Sequence, residues 1–220
     1  MRKKKIALLF WFIVLATAIC LGVIYIKEMS KYWFKDVEIP EYGLTISYPN
    51  SYIDIKKETD YTEGMIDKVT SILTKQDIDN PNISVDMVEK IIHAKSDITG
   101  MTIMVEAIKK EKTTKSIEDI CKDYIVMFQV FNEYEEIIHQ NYKETTVDGK
   151  AAGRTEIYVK GKTDDVFPGM VSYLIPLEDR EITIVFTGTR QMLEYFEKDI
   201  QKIIDTVKFE EKIVDEEQPV

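Results

Sequence analysis

Residues that carry chemistry are scarce in this sequence. It has only two cysteines and two histidines in 220 residues. Cys20 lies inside a long apolar run and Cys121 on a helical pattern, so no intrachain disulfide is expected and the fold must rest on its core. A disulfide-free exported domain suits a bacterial envelope better than an animal secretory pathway. His93 and His139 each stand alone on a strand pattern, with no second ligand at metal spacing, and read as packed or surface histidines. Cys121 sits among Ile117, Ile120 and Tyr124 and reads as a buried, inert thiol. The nine glycines build neither a phosphate loop nor a Gly-x-Ser-x-Gly elbow. Adjacent acids such as Glu135-Glu136 and Asp164-Asp165 are what so acidic a chain produces, and spacing alone does not make them a catalytic pair. Asp77-Ile78-Asp79-Asn80 starts like a calcium loop, but Pro81 and Asn82 stand where such a loop needs a ligand and a glycine. No cofactor, metal or catalytic residue is expected.

What the sequence does have is one long apolar run. Arg2, Lys3, Lys4 and Lys5 are followed by 21 uncharged residues, Ile6–Ile26. At about 1.5 Å per residue a helix of that length spans roughly 30 Å, the thickness of a bilayer core. Three readings compete. The run is an uncleaved signal anchor, or a signal peptide cut after Ala16-Thr17-Ala18, or a lipoprotein signal with Cys20 as the lipidated residue. Its length and flanks favour the anchor, because cleavage after Ala18 would leave an apolar start and Ile19 is large for the position before a lipidated cysteine. The basic residues at 2–5 place the preceding tail in the cytoplasm and the remainder outside. Tyr32 and Trp33 suit either the far membrane interface or the start of the domain.

All 39 acidic residues follow residue 26, whereas four of the 29 basic residues precede it, so the exported part carries a net charge of −14. That excludes nucleic acid as a partner and disfavours an anionic surface. The basic cluster Lys109, Lys110, Lys112 and Lys115 reads as a solvated loop.

Local patterns divide the chain into a basic tail at 1–5, an anchor at 6–26, a linker at 27–36, a domain at 37–209 and an acidic flexible tail at 210–220. Strand alternation appears at Leu44–Tyr48 and begins again at Tyr52–Ile55. Asp60 and Glu63 open a helix to about Gln76, and residues 77–86 are loop-like. Residues 87–96 suit helix or strand; the strand is chosen, paired through Asp97–Gly100 to Met101–Ala107. Ser116 caps a helix to Asn132. Val147-Asp148-Gly149-Lys150 predicts a type I′ hairpin, setting Tyr142 opposite Thr155 and Ile138 opposite Val159. A second hairpin joins Met170–Ile175 to Glu181–Thr187. Thr189 opens a last helix that buries Met192, Leu193, Phe196, Ile200, Ile203, Ile204 and Val207.

Three stretches together resemble the PsbP-like superfamily, named after an extrinsic subunit of photosystem II. They are Tyr42–Pro49 at the opening strand, Val147–Ala152 in the middle, and the final amphipathic helix ending Ile203–Phe209. Tyr52 stands where such domains often have tryptophan soon after the Tyr-Pro. The resemblance covers about residues 37–209. It implies an α+β fold, an antiparallel β-sheet with helices packed on both faces, here preceded by one transmembrane helix. It also implies binding and assembly roles with no shared catalytic residues.

The expected function is a non-catalytic binding or assembly module, held at the cell membrane by residues 6–26 and acting on a membrane-proximal protein outside the cytoplasm. The alternative is an envelope hydrolase whose site is assembled from residues scattered in sequence. The one binding loop singled out is Thr163–Gly169, a long strand connection presenting Asp164, Asp165 and Phe167.

Overall fold

The computed structural model describes residues 19, 21–22, 24–55, 88–109, 116–122, 125, 136–160 and 168–210. Ten strands are set in it: β1 Phe34–Ile39, β2 Leu44–Pro49, β3 Tyr52–Asp54, β4 Val88–Ser96, β5 Thr102–Lys109, β6 Ile137–Val147, β7 Lys150–Val159, β8 Pro168–Pro176, β9 Arg180–Thr189 and β10 Lys208–Phe209. Two helices, α1 Arg190–Tyr195 and α2 Glu197–Asp205, lie between β9 and β10. Strands β1-β2-β10 form a small antiparallel sheet, and β3-β4-β5-β9-β8-β7-β6 a large one.

Turn chemistry explains the hairpins. Asp148 and Gly149 both take positive φ, 49° and 73°, as a type I′ turn requires. Tyr142 pairs with Thr155 as the alternation predicts. The far end differs: Val159 pairs with Ile137, because the register shifts between Ile137 and His139 and Ile138 falls in the irregularity. Residues 88–96 are a strand, paired to β5 as expected.

Period-two alternation sorts the large sheet into two faces. Ala152, Tyr158, Val171, Tyr173, Ile182, Ile184 and Phe186 belong to the main core, with Leu193, Ile200, Ile203 and Ile204 from α1 and α2. The opposite face is covered by helical residues 117–122, where Ile117, Ile120 and Cys121 meet Ile108 and Leu174. Helices thus pack on both faces of an antiparallel sheet. Ser116 caps the second of these helices, its hydroxyl accepting from the Asp119 N–H at 3.1 Å.

Three expectations need correction. The described residues form two sheets, because β2 pairs with β1 on one side and with β10 on the other. The last helix is broken at Phe196 (φ −94°, ψ 14°) into α1 and α2, and Leu193 from the first and Ile200 from the second both lie in the core. Residues 27–36 are not a linker: residues 24–30 are helical and Phe34–Asp36 are the first half of β1. Their polar composition hid the backbone bonding that orders them.

Most of Ile6–Ile26 lies outside the described residues; among those described, no helix is long and apolar enough to cross a membrane. The helix expected at 60–76, the loop at 77–86, the helix beyond residue 125 and the tail at 211–220 also lie outside them.

Candidate functional site

Asp164, Asp165 and Phe167 lie outside the described residues, which resume at Pro168. His93, on β4, is half-buried, and burial with Lys90 nearby holds its imidazole below the usual range and therefore neutral. Cys121 is free and buried, and burial pushes its thiol up, away from the reactive thiolate. Among the described residues no group of His, Cys, Asp and Glu could hold a metal ion.

Among the described residues, polar side chains converge on the β6–β7 hairpin beside α1 and α2. Arg154, Glu156 and Tyr158 alternate along β7 and so share one face. The Arg154 guanidinium is 3.0 Å from a Glu156 carboxylate oxygen and 3.4 Å from Glu197, at the start of α2. His139, from β6, lies 3.9 Å from the other Glu156 oxygen, and its ring stacks on Tyr158 at 5.5 Å. Arg190, the first residue of α1, sits 5.2 Å over the Tyr158 ring while its Nε holds Glu194 at 2.7 Å. Gly169 of β8 makes the room, since a β-carbon there would collide with that ring.

The electrostatics close on themselves. Burial pushes the Glu156 carboxyl up, but bonds from Tyr158 and Arg154 outweigh it and leave the group below its usual range. Burial, then the bond to Glu156, raises the Tyr158 hydroxyl well above its ordinary value. At neutral pH the carboxylate is thus held ionised and the phenol held protonated. The Tyr158 ring is buried beneath this network, and the half-buried Arg154 and Glu156 with the exposed Arg190, Glu197 and His139 form its outer layer.

Sequence reading missed this cluster. The available signal was Arg154, Glu156 and Tyr158 at period two inside a strand whose alternate residues, Ile157 and Val159, are fully buried. The partners on α1 and α2 gave none, because only the fold brings them to β7.

The fold is PsbP-like. Over 81% of this chain and 94% of the other, with a TM-score of 0.53 and 12% identity, it matches the solution structure of cyanobacterial PsbP (CyanoP) from Synechocystis sp. PCC 6803. A crystal structure from Bacteroides thetaiotaomicron VPI-5482 aligns at 9% identity and a TM-score of 0.47, over 81% of this chain and 49% of that one. No family model and no curated protein matches the sequence. At that identity the PsbP-like likeness speaks for architecture alone.

Proposed function

We propose that this chain is a non-catalytic binding or assembly module, held at a membrane by Ile6–Ile26 and acting on a membrane-proximal protein outside the cytoplasm. The observation that carries the reading is the β7 cluster: Arg154 and Arg190, with the exposed His139, are fixed by Glu156, Glu197, Glu194 and the buried Tyr158 ring at the surface of a stiff sheet. The membrane part draws support from the helical residues Ile19, Leu21, Ile24, Tyr25 and Ile26, which expose their apolar side chains.

A photocrosslinking residue at Lys143, on β6 next to Arg154 in register, tests the reading in intact membranes. One membrane protein should be captured, and Arg190→Ala should abolish the adduct while the domain keeps its circular dichroism. An adduct pattern unchanged by Arg190→Ala would refute a role for this surface. Protease added to wall-stripped cells should remove the domain; its protection would reverse the proposed topology.

A further inference from the structure

The junction between the apolar run and the domain is bonded at every step. Tyr32 and Trp33 donate their N–H groups back to the Met29 and Ser30 carbonyls at 3.1 Å, ending the helix. The Asn50 N–H donates to the Trp33 carbonyl at 2.8 Å, and the Ser51 N–H to that of Lys31 at 3.0 Å. The Asn50 side-chain amide donates to the Ser30 carbonyl at 3.1 Å. Ser51 in turn accepts from the Asp97 N–H at 2.9 Å, which ties in the β4–β5 turn. The helix exit, the β2–β3 turn and the β4–β5 turn therefore move as one piece. Large apolar side chains are exposed at this end: Tyr32 (59%), Trp33 (57%), Phe34 (40%) and Ile98 (41%).

We propose that the domain is seated rigidly on the bilayer, with Tyr32, Trp33, Phe34 and Ile98 in the lipid headgroup zone. The inference rests on the anchor reading of residues 6–26. The apolar run ends at Ile26, and the helix continues to Ser30, which at 1.5 Å per residue adds about 6 Å. A bilayer's headgroup layer is roughly 5–7 Å deep on each side. The rim thus arrives at the depth where amphipathic rings settle. A tether of ten free residues would let the domain tumble; this junction fixes which side it turns to the lipid. The net charge of the exported part is negative, so the surface it suits is zwitterionic, with contact made by rings and not by charge.

The sequence has two tryptophans, Trp11 and Trp33, so each reports alone when the other is replaced by phenylalanine. The full chain is reconstituted in phosphatidylcholine vesicles with bromine placed either high on the acyl chain or near its end. With Trp11→Phe, shallow bromine should quench Trp33 emission about twofold or more, and deep bromine much less. With Trp33→Phe, Trp11 should respond most to the deep bromine. If Trp11 is quenched and Trp33 is not, the anchor stands and the seated rim is overturned; the rim then faces water or another protein. If neither is quenched, the anchor and the seating both fall.

Discussion

The sulfur of Cys121 lies 2.6 Å from where a β-carbon on Gly153 would stand. The 117–122 helix rests on the sheet at that glycine, with Ile117 Cγ2 and Tyr142 Cε2 at 2.8 and 3.0 Å from the same point. One methyl group there must push the helix off β7. Gly153→Ala should destabilise the domain by about 1–3 kcal/mol in urea unfolding, and Cys121→Ala in the same chain should recover part of the loss. Strictly additive effects of the two changes would show that the helix does not bear on Gly153.

Cys121 also offers a clock for local opening. It is buried, and burial raises its thiol. An aromatic disulfide reagent should leave the native thiol nearly untouched at neutral pH and react with it fully in urea, measured on a Cys20→Ser chain. Prompt native reaction would mean that this helix is detached in solution.

Along α1 the chain alternates between core and solvent within three residues. Leu193 is 1% exposed and Tyr195 81%. Leu193→Ala should cost about 2–5 kcal/mol and Tyr195→Ala under about 0.5 kcal/mol. Phe196, half-buried at the break, belongs between them. A larger loss at Tyr195 than at Leu193 would invert the helix.

Asp148 couples the hairpin turn to the C-terminal strand. Its carboxylate accepts from the Phe209 N–H at 2.8 Å and holds the Lys208 ammonium at 3.0 Å, and these bonds keep its pKa below the usual range. A carboxyl lowered by folding stabilises the fold above its unfolded value, near 3.9, and the gain disappears as pH falls through the lower folded value. At pH 7, Asp148→Asn should therefore be less stable than the parent, and the gap should narrow below about pH 4. Urea midpoints across that range give the answer; a gap that widens in acid contradicts the coupling.

Legibility followed the range of the physics. The type I′ turn at Asp148-Gly149 was readable because positive φ selects those residues locally, and the Thr189 cap was readable for the same kind of reason: its hydroxyl accepts from the Met192 N–H only three residues on. The shift between Ile137 and His139 was not, because a bulge leaves no residue signature. Lys27–Asp36 looked like a tether because its order comes from bonds to Asn50 and Ser51, invisible to composition. The β7 cluster needed α1 and α2 to be folded against the sheet before its members met. Asp164, Asp165 and Phe167 were chosen for loop character and fall outside the described residues, so the surface at Arg154 and Arg190 is where structural reasoning directs attention.

The order of strands in the large sheet bears on how this molecule is made. β5 lies between β4, its neighbour in sequence, and β9, whose Phe186 pairs with Ile103 across most of the intervening chain. Until residues near Thr189 have been synthesised, one edge of β5 has no mate and the main core has no floor. The same is true of β2, whose Leu44 waits for Phe209. Non-local pairing of this kind is slow to form. A nascent chain of this order cannot close its core until its last strands have emerged, so its folding follows its synthesis.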